Sequence, residues 1–96
     1  MTPRFHLAAE EELAAAMNAG EARGAGLGRE LLREVQRVTE LLCKFPDIGE
    51  KLNSHRRRFT LTRFPFGVIF RVEGDTLRIL AIAHRRQRPR YWHARQ

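Results

Sequence analysis

The hydrophobic period changes once along this chain, and that change limits what it can become. Leu31, Val35, Val38, Leu42 and Phe45 recur at spacings of four, three, four and three, which lines one face of an α-helix. Beyond Pro46 the pattern becomes alternation. Phe66, Val68, Phe70 and Val72 fall on one side of a strand, with Gly67, Ile69 and Arg71 on the other. In the next strand Leu77, Ile79, Ala81 and Ala83 oppose Arg78, Leu80, Ile82 and His84, the two-residue period of β structure. Glu73-Gly74-Asp75-Thr76 is hairpin chemistry between them. A shorter strand over Arg58–Phe64, with Phe59 and Leu61 on one face, bends at Pro65 into the second.

The region before Leu31 reads as a first helix. Ala8 to about Ala19 is rich in Ala, Glu and Leu, with Glu10, Glu11 and Glu12 in the turn where the helix dipole favours anions. Its apolar stripe of Ala9, Leu13, Ala16 and Met17 is made mostly of small residues and suits close approach to a second helix. Gly20 and the run Gly24–Gly28 are expected to end it. Two helices joined this closely form an antiparallel αα-hairpin. Ninety-six residues make one domain, residues 1–96, with no room for a second core. The fold class expected is α+β, the hairpin packed on a small antiparallel β-meander.

Charge is segregated along the same boundary. Met1–Glu50 carries six Lys or Arg against nine Asp or Glu, and Lys51–Gln96 carries twelve against two, a net −3 and +10 that together give +7. Such a field addresses something anionic, phosphate or an acidic chain. Arg56, Arg57, Arg58, Arg71, Arg85 and Arg86, with Tyr91 and Trp92 among the terminal charges, are the candidates for contacting it.

Ile69, Leu80 and Ile82 make the second face of the sheet partly apolar, and one helical hairpin covers only one face. That face is expected to remain open as a partner groove, with Arg78 on it; the alternative is that the Tyr91-Trp92 tail folds back over it.

Other chemistry is thinly represented. There is no Gly-rich phosphate loop and no Cys/His cluster at zinc spacing, so neither metal nor cofactor is expected. Cys43, the single cysteine, reads as a packing residue of a reducing compartment. No apolar run approaches the ~18 residues of a membrane span, and Met1-Thr2-Pro3-Arg4 has no secretory h-region. The expected location is cytoplasmic, without a membrane partner.

Several stretches, in order, carry a resemblance to a known family. They are Ala8–Leu13, then Gly26-Leu27-Gly28 leading into Glu30-Leu31 and Glu34-Val35, Phe45-Pro46-Asp47-Ile48-Gly49, Arg57-Arg58-Phe59 and Arg63-Phe64-Pro65-Phe66. Val68–Val72, Ala81–Arg86 and Pro89–Trp92 complete the set. The chain resembles the RelE/ParE superfamily of type II toxin–antitoxin toxins, and is most similar to its ParE-like, plasmid-stabilisation branch.

The resemblance implies an additional N-terminal strand at Arg4–Leu7 and a toxin neutralised by a cognate antitoxin. That antitoxin would be acidic and amphipathic, such as one of the ribbon-helix-helix type, seated on Ile69, Leu80, Ile82 and Arg78. ParE-like members act on DNA gyrase as non-catalytic inhibitors, whereas RelE-like members are metal-independent endoribonucleases that cut messenger RNA in the ribosome.

If this chain cleaved RNA, Arg85, Arg86 and Tyr91 would be its catalytic candidates. Cleaving members often carry Arg just after the aromatic matching Phe66, and this chain has Gly67 there. ParE-like chains often carry a Tyr pair where this one has Met17-Asn18. Gly67 points to a gyrase-directed toxin or to one without retained activity, and Met17-Asn18 to an altered partner choice or a divergent member; the reading taken is a gyrase-directed toxin. The alternatives are a ribosome-dependent messenger RNA interferase and a non-toxic nucleic-acid-binding or regulatory module.

Overall fold

The computed structural model describes all 96 residues. In chain order the elements are β1 (Thr2–Phe5), α1 (Leu7–Arg23), α2 (Leu27–Lys44), a 3-10 turn (Pro46–Ile48), β2 (Glu50–Lys51), β3 (Arg57–Thr60), β4 (Phe66–Glu73) and β5 (Thr76–His84). The helical hairpin lies on one face of a five-stranded sheet ordered β1-β5-β4-β3-β2. The expected α+β class and antiparallel meander stand, with two additions. The two-residue β2 extends the sheet beyond β3, and β1 pairs parallel to β5, so the sheet is mixed.

The α2 stripe packs as its spacing requires. Leu31, Val35, Val38 and Leu42 are buried against Val68, Phe70, Leu77 and Ile79, and apolar burial of this kind is the main favourable term in folding. Phe45 does not join them. The helix ends at Lys44, and Phe45 turns outward, 55% exposed. Helix α1 outruns its expected limit, passing through Gly20 to Arg23.

Those glycines serve the crossing of the helices. A Cβ on Gly28 would stand 2.5 Å from the Met17 carbonyl oxygen, and one on Gly20 3.3 Å from the Gly28 nitrogen. The Glu21 carboxylate then accepts from the amides of Gly26 (3.1 Å) and Gly28 (2.9 Å), capping α2 where the Gly26 N-cap offers no side chain. These two amides hold the Glu21 carboxyl below its ordinary pKa.

Strand β5 departs from simple alternation. Val68 opposes Ile82 and Ile69 opposes Ala81, but Phe70 opposes Ile79, so Leu80 is an extra residue in a bulge. The phase of the strand inverts there. Leu77, Ile79 and Ile82 all face the helices, while Leu80 and Ala81 face away. Ile82, assigned to the far face by alternation, is thus a core residue of the helical side.

The far face is closed. Ile69 and Leu80 are fully buried in a second cluster with Ala81 and Trp92, flanked by Leu52, Ala83 and Tyr91. The chain after His84 turns back across the sheet, and Trp92, 5% exposed, covers the surface expected to be an open groove. Two buried aliphatic side chains and a seated indole remove more apolar area from water than an open face would.

Candidate functional site

The terminal segment is held by arginines and one carboxylate. The Arg56 guanidinium donates to the carbonyls of His93 (3.3 Å) and Arg95 (3.0 Å) and stands 5.8 Å from the Trp92 ring centroid, within cation–π range. Arg78 donates to the main-chain oxygen of Gln96. Arg95 donates to Glu12 Oε1 at 2.8 Å and to the Leu80 carbonyl at 3.1 Å. The same Glu12 oxygen accepts the amide of Ile82 at 3.0 Å, just past the bulge. One carboxylate of α1 therefore joins the first helix, the last strand and the tail. Charge-assisted contacts of this kind, partly shielded from water, are the stronger class of hydrogen bond.

Tyr91 belongs to this cluster. Its ring lies under the Arg95 guanidinium, 5.0 Å from its centroid. Its hydroxyl is buried, and no hydrogen bond of good geometry reaches it, although Glu12 is close enough to act on it electrostatically. Burial first, then the Glu12 carboxylate, push the phenol well above its ordinary pKa. The hydroxyl of the candidate proton-transfer residue is thus buried while its ring stays half-exposed.

The remaining candidate arginines separate by what they touch. Arg57 donates to the carbonyls of Gly49 (2.9 Å) and Asp47 (3.2 Å), pinning the turn before β2. Arg71 pairs with Glu73 at 3.0 Å and Arg58 with Glu50 at 3.3 Å. Arg56 and Arg78 hold the tail. Arg85 and Arg86 are exposed and have no carboxylate partner. The candidates for contacting an anion are divided: Arg58, Arg85, Tyr91 and Trp92 share a groove, while Arg56, Arg57, Arg71 and Arg86 do not line it. Of the proposed antitoxin residues, Ile69, Leu80 and Ile82 are inside the protein, and Arg78 is engaged with the tail.

That groove runs between the β3–β4 loop and the terminal segment and encloses about 720 Å³. Arg23, Arg58, Arg63, Arg85, Arg88 and Arg90 line it, and no Asp or Glu does. Phe64, Phe66, His84 and Tyr91 contribute ring surface, with His84 set edge-on to Phe66 at 5.1 Å. Buried Gly67 lies in its floor because the stem of Arg58 crosses it. A Cβ there would meet Arg58 Cδ at 2.9 Å. The β3 arginine thus covers Gly67.

A second groove, about 630 Å³, opens on the helical side. Pro3, Phe5, Leu13, Met17, Leu32 and Val35 make it apolar, with Glu10 and Glu40 at its rim. It adjoins β1, an edge strand whose outer backbone has no partner. Residue spacing did not identify this surface, since it needs the packing of β1 against both helices. Arg88 and Arg90 were visible as an Arg-Pro-Arg run. Glu12 and Arg95, 83 residues apart, had no local signal.

Comparison with known proteins converges on one family. The family described as ParE toxin of type II toxin–antitoxin system, parDE, matches residues 4–89. A chain from the chromosomal ParDE toxin–antitoxin system of P. aeruginosa shares the fold, with a TM-score of 0.64 at 23% identity over 88% of this chain and 95% of that one. No curated protein matches by sequence. No helix is long and apolar enough to cross a membrane. With the family matched across nearly its whole length and the same framework in a solved ParDE chain, this chain belongs to the ParE toxin family of type II toxin–antitoxin systems.

Proposed function

We propose that this ParE-type toxin acts by binding and not by cleaving, that DNA gyrase is its target, and that a cognate antitoxin neutralises it. Family membership supports the toxin reading. The burial of the Tyr91 hydroxyl carries the choice of binding over cleavage. Cleavage by the RNA's own 2′-hydroxyl needs a side chain that takes up and returns protons near working pH. The Tyr91 hydroxyl is buried beside Glu12 and Arg95 with its pKa raised, and Gly67 offers no cation where cleaving relatives often have one.

Closure of the far face moves the antitoxin elsewhere. The apolar groove between β1, α1 and α2 is a surface where an amphipathic segment gains by burying side chains, and the free edge of β1 gives it backbone partners. The acidic rim of Glu10 and Glu40 favours basic residues flanking that segment. This differs from the acidic partner that net charge alone suggested.

The test is induced expression of the toxin without antitoxin, with three readouts. Growth arrest with an SOS response and intact messages, together with loss of plasmid supercoiling by purified gyrase, is the expected result. Discrete message cuts within codons would establish an interferase instead. Unimpaired growth with salt-sensitive DNA binding would establish a non-toxic nucleic-acid module.

A further inference from the structure

The arginine groove has features that inhibition of a protein target does not require. Four chain segments contribute to it: the end of α1 (Arg23), β3 (Arg58), the β3–β4 loop (Arg63) and the terminal turn (Arg85, Arg88, Arg90). Where the fold itself uses arginine, the use is plain, as with Arg56, Arg57 and Arg95, which donate to main-chain carbonyls. Arg23, Arg85, Arg88 and Arg90 do nothing comparable: none makes a side-chain hydrogen bond, and none has a carboxylate within 4 Å. Gathering like charges around one cavity opposes folding through mutual repulsion, so the stability of the domain does not account for them.

We propose that this groove binds a single-stranded nucleic acid segment, its arginines gripping consecutive phosphates. Three observations favour that ligand over an acidic peptide. All six cations are arginine, whose planar fork pairs two-pronged with phosphate oxygens, where a lysine offers a point charge; Arg58 and Arg63 pair at the rim with Glu50 and Glu30, and the other four have no carboxylate partner. Rings stand among the cations, with Phe64, Phe66 and Tyr91 in the lining, and cationic tracks interleaved with rings are how strands are held without sequence preference. The volume of about 720 Å³ is that of a ligand pocket, able to take part of a strand. The inference stands apart from the choice of gyrase as target, because it concerns what the groove itself holds.

The test is fluorescence anisotropy of a labelled 12-nucleotide oligothymidylate titrated with the full chain over a series of salt concentrations. Binding should weaken linearly on a log–log plot of affinity against salt. The triple variant Arg85→Gln/Arg88→Gln/Arg90→Gln should bind at least tenfold more weakly, with a slope shallower by about 2, the figure for three lost phosphate contacts at ~0.7 each.

These side chains are exposed and unpartnered, so thermal melting should match the parent, and each single variant offers a milder version of the same test. The control is Arg4→Gln/Arg29→Gln/Arg33→Gln, which removes equal charge outside the groove and should bind within twofold of the parent. Three results overturn the proposal: no binding by the parent, an equal loss in the control, or a polyglutamate peptide of equal charge binding as tightly as the oligonucleotide.

Discussion

Replacing Trp92 with Ala tests the seating of the terminal segment directly. The indole is 5% exposed and packs on Ile69, Leu80 and Ala81, and Arg56 lies over its ring. Truncating a buried Trp costs ~3–5 kcal/mol, of which the cation–π contact accounts for ~0.5–1 kcal/mol. For a domain whose total stability is about 5–15 kcal/mol this is a large share.

Urea denaturation followed by circular dichroism should show the loss, and thermal melting should fall by at least ~12 °C. If the segment leaves as a unit, Ile69 and Leu80 become exposed before global unfolding. The urea m-value should then drop, because less surface remains to be exposed, and the folded variant should bind an apolar dye. A cycle with Arg56→Ala should return ~0.5–1 kcal/mol of coupling. A loss below ~1 kcal/mol with unchanged m-value and no dye binding would refute the seating of Trp92 on the sheet.

Three further outcomes are expected. Tyr91 is the only tyrosine, and its folded pKa lies above the ordinary phenol value of about 10. The stability this shift contributes is complete below that value and is lost as pH rises toward the folded pKa. Phenolate absorbance should therefore appear at higher pH than in a free phenol and together with unfolding; a normal titration in the folded protein would contradict the burial. Arg85→Ala with Arg86→Ala should reduce toxicity in the expression assay while shifting stability by no more than ~0.5 kcal/mol, whereas full toxicity would show that this turn is not part of the effector surface. Leu32→Glu, in the wall of the helical groove, should weaken antitoxin capture at least ~10-fold, more than 1.4 kcal/mol, and leave growth arrest intact; unchanged capture would place the antitoxin elsewhere.

The parts of the fold legible from residues alone were those decided locally. The Leu31–Leu42 stripe and the Gly74 hairpin need only their own neighbours, and both are where periodicity put them. Gly20 was misread as a helix end because its use is a contact with the facing Gly28, which spacing does not encode. The bulge at Leu80 escaped notice because side-chain alternation continues unbroken through it on paper, and only pairing with β4 exposes the extra residue. That one residue moved Ile82 to the other face. The Arg56–Arg58 run read as a single cationic patch, yet its three side chains go to the tail, the turn before β2 and the groove, as alternation and the bend after Leu52 dictate. Charge segregation does not say which cations the fold has already engaged.

Strand β1 has a single neighbour, and that neighbour is β5. During synthesis β1 therefore waits, unmatched, until Thr76–His84 has emerged. Pairing ends this far apart in sequence closes a long loop, which slows folding relative to local contacts. The helical hairpin can form early, but the sheet it rests on, and the arginine groove beyond it, are assembled only after β5 and the segment that follows it have emerged. Any function that depends on the complete sheet is therefore acquired late, once β5 has paired with β1.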